Sequence, residues 1–321
     1  MNGDAAIEVR GLSHAYGARH ALREVDLEVK RGELFALLGP NGGGKTTLFR
    51  ILSTLMPHQM GEVRISGHDL RTQLFEVRHS LGVVFQSPSL DKKLSIDENI
   101  TQQAALYGLS RSVLQQRREE VLEQLGLMDR RHDRIEVLSG GLKRRADLAK
   151  SLIHLPRILL LDEPTTGLDP GARSDLWRYL GLLRDRYQMT IALTSHLLEE
   201  ADRADRIAIL HEGQVVVRGN PSELRAELGA PSLTIETDQT EWLFRELTDR
   251  FATQVSIVDQ AVRLEQVMDS RFVQQLMDDY PEQIKSVKWG RPTLEDLFIR
   301  HTGHRFWQEP ETPPTVRQSR R

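Results

Sequence analysis

The sequence predicts an α/β fold in which a mainly parallel sheet is covered by helices on both faces, followed by a smaller α+β domain. Five short runs are apolar without alternation, which is typical of strands buried on both faces. Helical segments separate the runs, as the crossovers of a parallel sheet require. Because polar residues gather at the carboxyl ends of the runs, we expect the functional site at that edge. The runs are Glu33–Gly39, Leu81–Gln86, Arg157–Glu163, Met189–His196 and Arg206–Gly213.

A helical insertion is predicted at about residues 87–150, within a first domain of residues 1–225. The segments "SIDENITQQAALYGL" and "SRSVLQQRREEVLEQLGL" both have helical patterns. Ser110 precedes the second segment and is a suitable N-cap, since its hydroxyl can accept a bond from a free backbone N–H of the first turn.

The segment from residue 232 to 303 predicts a second domain with the order βαββαβ, the ferredoxin-like split motif. Two of its helices have an apolar face each. These faces consist of Leu243, Phe244, Leu247 and Phe251, and of Phe272, Val273, Leu276, Met277 and Tyr280. Pro292 suits the first turn of a last helix. Residues 304–321 are polar and rich in proline, which predicts a disordered tail.

The composition excludes several classes of protein. The chain has 321 residues, a formal net charge of −3 and no cysteine. The near-neutral charge argues against nucleic acid as a partner, and the lack of cysteine excludes disulfides and thiolate chemistry. The N-terminus lacks the apolar core of a signal peptide, and no run reaches the roughly 18 apolar residues that span a bilayer. We therefore expect any role at a membrane to depend on a partner.

A phosphate-binding loop is predicted by "GPNGGGKTT", which follows a strand and matches G-x-x-x-x-G-K-[ST]. Its glycines allow backbone N–H groups to surround a phosphate, Lys45 can reach the β- and γ-phosphates, and the Thr46 hydroxyl can bind Mg²⁺. The alternative, a chance glycine-rich turn, is disfavoured by the strand before it and the helix after it. The predicted nucleotide-binding residues of the loop are Gly39, Asn41, Gly42, Gly43, Gly44, Lys45, Thr46 and Thr47.

The run "RILLLDEP" predicts the second half of the same site. Its strand delivers Asp162 to a Mg²⁺ ion, and Glu163 beside it can orient or deprotonate an attacking water. An acidic strand end that only caps a helix is the alternative, and the phosphate loop in the same chain argues against it. The predicted activity is hydrolysis of a nucleoside triphosphate by a P-loop NTPase (RecA-like) core that also holds antiparallel β elements.

These motifs resemble those of the ATP-binding cassette (ABC) ATPases. "LSGG" at residues 138–141 matches the signature sequence of that family and lies between the phosphate loop and "LLLDEPTTGLDP". Gln86 matches the Q-loop glutamine, His196 the switch histidine, Asp169 the D-loop aspartate and Tyr16 the aromatic that stacks on adenine. Taken alone, Gln86 could be a polar strand end, His196 a structural histidine and Tyr16 a packing residue. The common order of the motifs favours the functional interpretation.

The resemblance implies that two copies, or two related chains, pair head to tail with ATP and Mg²⁺ between them. Ser139, Gly140 and Gly141 then cap the γ-phosphate held by the partner, and Glu163, His196 and Gln86 are catalytic. Thr46, Gln86 and Asp162 are the implied metal ligands. Leu142 replaces the glutamine that usually follows the signature glycines. Gly43 replaces an alanine that is common in the phosphate loop, and we expect this change only to make the loop slightly more flexible. The charged residues of "LKRR", residues 142–145, are expected to form a solvated helix face.

The chain also resembles ATPase subunits of ABC-2 type exporters, in "VVFQSPSLDKKLSIDENI" and "RPTLEDLFIRHTG". The resemblance implies an integral-membrane ABC-2 permease as partner and a peripheral position on the cytoplasmic face of the plasma membrane. The cargo could be a drug, a lipid, a polysaccharide or sodium. The C-terminal domain could serve dimer contact, regulation, permease docking or stability. A soluble ABC ATPase of translation or DNA repair is the alternative, and a single cassette with a short insertion disfavours it. A P-loop kinase would leave LSGG unexplained.

Overall fold

The computed structural model describes residues 5–229, 231–251, 254–258, 260–265, 269–290, 293–303 and 306. The chain forms two compact units, Met1–Arg218 and Gly219–Arg321. This division precedes the boundary expected at residue 225, because the helix Pro221–Ala226 packs against the helix Leu294–Thr302 of the second unit. None of the described helices is long and apolar enough to span a bilayer.

The strands and helices are numbered here in chain order. The strands are β1 Ala5–Tyr16, β2 Arg19–Lys30, β3 Leu34–Leu38, β4 Met60–Ile65, β5 His68–Asp69, β6 Leu81–Val84, β7 Ile158–Asp162, β8 Thr190–Ser195, β9 Arg206–His211, β10 Gln214–Gly219, β11 Ser232–Glu236, β12 Val255–Val258, β13 Ala261–Leu264 and β14 Ser286–Gly290. The helices are α1 Lys45–Leu52, α2 Leu74–Ser80, α3 Ile96–Leu106, α4 Arg111–Gln124, α5 Gly140–Leu152, α6 Pro170–Tyr187, α7 Pro221–Ala226, α8 Thr240–Arg250, α9 Ser270–Asp279 and α10 Leu294–Thr302.

The first unit contains a six-stranded sheet in the order β10-β9-β3-β8-β7-β6. The neighbours from β9 to β6 pair in parallel, and all five residues of β3 are buried. A four-stranded antiparallel sheet, in the order β2-β1-β4-β5, accompanies it. The predicted α/β class is therefore confirmed. The parallel pairing also brings the carboxyl ends of β3, β6, β7 and β8 to one edge.

Three α-helices, α3 to α5, lie between β6 and β7 in the chain, in the region where the sequence predicts an insertion. Each begins with a serine whose hydroxyl accepts a bond from a backbone N–H of the first turn, namely Ser95, Ser110 and Ser139. At Ser95 the Glu98 side chain accepts a bond in return, which completes a capping box. These local signals fix where the helices start, so that α5 begins directly after the signature serine.

The second unit has the predicted βαββαβ order, with the antiparallel sheet β12-β13-β11-β14. This strand order is that of a ferredoxin-like fold. Leu243 and Leu247 of α8 and Leu276 of α9 pack against Ile235 and Val262 of the sheet.

Three details of the second unit differ from the sequence-based expectations. Met277 is 51% exposed and lies outside the apolar face of α9. The helix α10 is capped by Thr293, with Asp296 completing a capping box, while Pro292 lies outside the described residues. Phe306 is buried against Phe298, so the expected tail is packed at this residue. The other residues of the expected tail lie outside the part of the chain that the structure describes.

His154 follows α5 and is held in an apolar environment. Its ring stacks on Tyr107, with ring centroids 3.8 Å apart, and Nε2 lies 2.9 Å from the carbonyl oxygen of Leu81. Burial lowers the pKa of His154 to about 4, and the charges of His79 and Arg117 act in the same direction. The neutral ring is therefore the form that the fold stabilises.

We expect the fold to become less stable as the pH is lowered, because His154 must then gain a proton in a buried position. In the unfolded chain a histidine titrates near pH 6.5. The contribution of His154 to the free energy of unfolding is therefore complete above that pH and is lost as the pH falls toward 4. Between pH 7 and pH 5, the difference in free energy of unfolding between the wild type and His154→Gln should narrow by about 2 kcal/mol. Urea titrations at the two pH values measure this. The exposed His132→Gln is the control, and an unchanged difference for His154→Gln would contradict the expectation.

Candidate functional site

The loop that joins β3 to α1 packs backbone against backbone. A Cβ added to Gly39 would lie 2.2 Å from the Leu210 carbonyl oxygen, and one added to Gly43 would lie 2.8 Å from the same atom. A Cβ added to Gly44 would lie 2.5 Å from the Ala21 carbonyl oxygen. Real Cβ atoms do not approach a backbone oxygen this closely, so the glycines allow the loop to sit against its neighbours. The expectation that Gly43 only frees the loop is therefore wrong in this structure. Gly42 and Gly44 have φ values of 78° and 109°, which favour glycine.

Lys45 begins α1 and turns back into this loop. Its side chain is buried, and Nζ donates to the carbonyl oxygens of Gly39 at 2.6 Å and Pro40 at 3.0 Å. Burial lowers the pKa of Lys45, while the carboxylates of Glu163 and Asp162 oppose that shift. The structure thus places a buried ammonium in a glycine-rich loop at the N-terminus of α1, where an anion would find both positive charge and backbone donors. Of the other loop residues, Asn41 and Thr46 are exposed and Thr47 is buried.

Asp162 ends β7 at the same edge of the sheet and is held by the neighbouring strand. The Thr194 hydroxyl of β8 donates to Asp162 Oδ1 at 2.6 Å and accepts a bond from the Glu163 N–H at 3.0 Å. Burial raises the pKa of Asp162. Sequence reasoning missed Thr194, because a threonine inside an apolar strand is explained by strand propensity alone.

Three side chains from separate loops meet at one carboxylate oxygen, Oε2 of Glu163. Gln86 Nε2 donates to it at 3.1 Å, the Thr166 hydroxyl donates at 3.2 Å, and His196 Nδ1 lies at 3.2 Å. Glu163 itself has a φ of 42°, an uncommon value for a residue other than glycine. The sequence-predicted residues Gln86, Glu163 and His196 are thus brought together, and Thr166 joins them. A carboxylate held in this way is suited to orienting a water molecule.

The side chains predicted to bind a metal carry oxygen atoms that suit a magnesium ion. Asp162 supplies a carboxylate, Thr46 an exposed hydroxyl and Gln86 an amide oxygen, which are the hard ligands that Mg²⁺ takes together with waters and substrate phosphates. No cluster of three or more His, Cys, Asp or Glu side chains that could hold a metal occurs among the described residues. A site for Mg²⁺ shared with a nucleotide needs only one or two carboxylates, so the donor set fits this ion.

Tyr16 ends β1 and is 48% exposed. Its hydroxyl lies 3.3 Å from Met56 Sδ, and its ring meets the edge of His14 with centroids 4.9 Å apart. The ring is therefore held from one side while much of it remains open to solvent. Such a surface can stack on a planar base.

The predicted signature residues lie at the surface where the helix α5 begins. Ser139 and Gly140 are both exposed, and Ser139 Oγ accepts a bond from the Leu142 N–H at 3.3 Å, which caps α5. A Cβ at Gly140 would meet nothing within 4 Å, whereas one at Gly141 would lie 3.1 Å from Ala172 Cβ. No hydrogen bond within the described chain joins these residues to the phosphate loop. Asp169 caps α6 in the same manner, accepting the Ala172 N–H at 2.9 Å.

Arg144 departs from the expected solvated face at residues 142–145. Its side chain is buried, and its guanidinium donates to the carbonyl oxygens of Phe85, Gln86, Glu163 and Pro164. The expectation was wrong for this residue, because a run of charges on a helix shows nothing about the loops packed against it. Arg145 is partly buried, and its Nη1 donates to the Leu125 carbonyl oxygen at 3.1 Å.

Comparison with known proteins connects this geometry with a family. The family model for ABC transporters matches residues 22–166. A daunorubicin resistance ATP-binding protein of Streptomyces coeruleorubidus is 36% identical over 312 residues, which cover 94% of this chain and 96% of that protein. A Nod factor export ATP-binding protein of Rhizobium sp. (strain N33) is 33% identical over 309 residues, with 93% and 97% covered. Both alignments extend through most of the second unit.

A solved structure is similar in its fold to about two thirds of the chain. It is a dimeric ATP-binding cassette in a post-hydrolysis state, bound to ADP and Pi. The TM-score is 0.60 at 27% sequence identity, and the match covers 67% of this chain and 98% of that one.

Proposed function

Since this chain belongs to the ABC transporter family of ATP-binding subunits and is an ATPase, we propose that it drives an ABC-2 type exporter from the cytoplasmic face of the plasma membrane. Members of this family dimerise and work with membrane permeases. The proposed partner is an integral-membrane ABC-2 permease, and the chain is a peripheral subunit without nucleic acid as a partner. The single observation that carries the proposed mechanism of ATP hydrolysis is the meeting of Gln86, His196 and Glu163 at one carboxylate oxygen beside the phosphate loop.

In the proposed reaction, the loop residues and Lys45 hold the triphosphate of ATP, and Tyr16 stacks on its adenine. Glu163 orients the attacking water or accepts its proton. Gln86 and His196 position the carboxylate of Glu163 and the γ-phosphate relative to each other. Asp162, Thr46 and Gln86 would hold Mg²⁺, which when bound offsets the charge of the phosphate oxygens. Thr194 keeps Asp162 in place through its 2.6 Å bond.

Gly140 supports a site that a second copy completes. Its φ is not among the positive values of the chain, and a Cβ there would have open space around it. Neither its conformation nor its own surroundings therefore require glycine, although glycine in a helix is about 1 kcal/mol less favourable than alanine. Gly181 of α6 shares both features, but only Gly140 belongs to the exposed signature next to Ser139, and close approach by a body outside this chain explains a glycine there. We propose that this body is the γ-phosphate bound to a partner, capped by Ser139, Gly140 and Gly141.

Gly140→Ala separates this explanation from a structural one. Because the site has room for a methyl group, the unfolding temperature should stay the same or rise slightly. ATP hydrolysis should nevertheless fall about tenfold or more, since the methyl group would stand between the signature and the partner's nucleotide. A thermal melt and a steady-state ATPase assay measure the two effects.

Gly181→Ala is the matched control, because Gly181 lies in the middle of α6 and a Cβ there would also meet nothing within 4 Å. It should leave hydrolysis unchanged. Wild-type hydrolysis by Gly140→Ala would contradict the shared site.

Export is proposed on the strength of the relatives. One is named for daunorubicin resistance and another for Nod factor export, and the proposed cargo is a drug, a lipid, a polysaccharide or a similar substrate. Those alignments include the second unit, which a lone cassette would not need. The test is to produce the chain together with an ABC-2 permease of the same organism and to assay ATP hydrolysis in proteoliposomes. Stimulation by that protein supports the proposal. Equal activity with and without it would favour a soluble ABC ATPase instead.

A further inference from the structure

We propose that Arg144, Asp147 and Lys150, called the α5 clamp below, lock the signature helix to the glutamine loop, residues 85–89. In this role they are positioning residues: they hold Gln86 against Glu163 and make both follow the movement of Ser139. The inference rests on the proposed function, because it concerns the same site of ATP hydrolysis. The three residues are spaced at i, i+3 and i+6 and share one face of α5.

Arg144 joins two loops that follow neighbouring strands. Nε donates to the Pro164 carbonyl oxygen at 2.9 Å, and Nη2 donates to that of Glu163 at 3.2 Å, both after β7. Nη1 donates to the Phe85 carbonyl oxygen, and Nη2 lies 3.4 Å from that of Gln86, both after β6. A guanidinium has five N–H donors in a fixed plane, so it can serve both loops at once. No single-nitrogen side chain can reproduce this arrangement.

Asp147 and Lys150 hold the far end of the same loop through Ser89. Asp147 Oδ1 accepts bonds from the Ser89 hydroxyl at 2.9 Å and the Ser89 N–H at 3.3 Å. Lys150 Nζ donates to the Ser89 carbonyl oxygen and lies 3.2 Å from its hydroxyl. One helix therefore holds the glutamine loop at both ends, at Phe85 and Gln86 through Arg144 and at Ser89 through Asp147 and Lys150.

The burial of these charges argues that the clamp is rigid. Arg144 is 4% exposed and Asp147 is 1% exposed. Burial lowers the pKa of Arg144 and raises that of Asp147, which shows that burying each charge is unfavourable and that the polar partners offset this cost. A buried charge or carbonyl that loses its partner is strongly unfavourable, which disfavours movement of the loop away from α5. The helix and the two loops are expected to move as one body.

The helix α5 begins at the signature, so its rigid attachment to the glutamine loop connects the signature with the site of its own chain. Ser139 caps the N-terminus of α5, one turn before Arg144, and is proposed to contact the nucleotide of the partner. Gln86 contacts Glu163 in the site of its own chain at 3.1 Å. A shift of Ser139 toward the partner's nucleotide is then passed by the clamp to Gln86 and to the Glu163 backbone. The clamp thus links the closing of one composite site to the alignment of the other.

Arg144→Lys tests the clamp in the purified full-length chain. It keeps the charge but loses the planar donors, so kcat for ATP hydrolysis should fall about 10- to 100-fold because Gln86 is misplaced. KM for ATP should stay within about twofold, since the phosphate loop is untouched. Ser89→Ala is a milder second variant at an exposed residue and should lower kcat about threefold or more, again with KM unchanged.

Arg145→Lys is the matched control, because it makes the same change one residue later at a side chain that bonds to Leu125 and Tyr179 rather than to the glutamine loop. It should leave kcat at the wild-type value. The decisive comparison is the double variant Gln86→Ala with Arg144→Lys. If Arg144 acts through Gln86, the double variant should be no more than about threefold slower than Gln86→Ala alone.

Multiplicative losses in the double variant, or a fall in kcat that Arg145→Lys shares, would overturn the clamp and leave Arg144 as a residue of general stability. Wild-type kcat in both Arg144→Lys and Ser89→Ala would also overturn it. The proposed function fails separately: in that case Gln86→Ala and Glu163→Gln would themselves hydrolyse ATP at the wild-type rate.

Discussion

Glu163→Gln is expected to slow ATP hydrolysis by about 10²- to 10⁴-fold while leaving ATP binding intact. An amide cannot accept the proton of the attacking water, yet it has nearly the shape of the carboxylate. Its oxygen can still accept the bonds that Gln86 and Thr166 make to Oε2 at 3.1 and 3.2 Å. ATP that stays unhydrolysed should hold two copies together, so the variant should become a stable dimer. Steady-state hydrolysis and light scattering after gel filtration measure both effects.

Glu123→Gln is the control for this variant, since Glu123 is exposed on α4 and makes the same change of charge. It should hydrolyse ATP as the wild type does and should not be trapped as a dimer. A Glu163→Gln protein that remains monomeric in saturating ATP and Mg²⁺ would contradict the proposal that nucleotide joins two copies.

Lys45→Ala is expected to weaken ATP binding about 10- to 100-fold and to reduce hydrolysis below detection. The ammonium is already buried in the loop, bonded to Gly39 and Pro40, and no other lysine starts α1. Its loss removes the positive charge that the phosphates would meet. Titration of a fluorescent ATP analogue measures the affinity.

Lys30→Ala provides the comparison, because it removes one exposed lysine at the end of β2 and leaves the loop alone. Both variants should keep the secondary structure of the wild type by circular dichroism. Wild-type affinity for ATP in Lys45→Ala would show that the loop does not bind the triphosphate.

The sequence predicts the core of the first unit well because its central strands leave little ambiguity. β3 is apolar throughout, β7 and β8 are mainly apolar, and all three are buried on both faces, so their pattern excludes surface strands and short loops. The phosphate loop is equally specific, since spacing, flanking strand and following helix all agree. Each of these features is determined over a few consecutive residues.

Features that depend on several distant segments escape such reasoning. Arg144 lies in a run of charged residues, and only the fold shows that four carbonyl oxygens from the ends of β6 and β7 gather around it. The boundary between the two units shifts for the same reason, because α7 packs against α10, which follows much later in the chain. Met277 fits the helical period of α9, yet the sheet does not reach it. The local sequence pattern determines where helices and strands form. Packing between distant segments determines which of their side chains are buried and which groups they contact.

Mixing two inactive variants tests the shared site most directly. Lys45→Ala spoils the phosphate loop, and Ser139→Arg should block the signature without preventing nucleotide binding, so each alone should lack hydrolysis. In an equimolar mixture, a pair with one copy of each variant has one intact composite site, formed by the loop of one chain and the signature of the other. The account predicts that ATPase activity returns to about a quarter of the wild-type value, because half of the random pairs are mixed. A mixture as inactive as its two components would contradict the account.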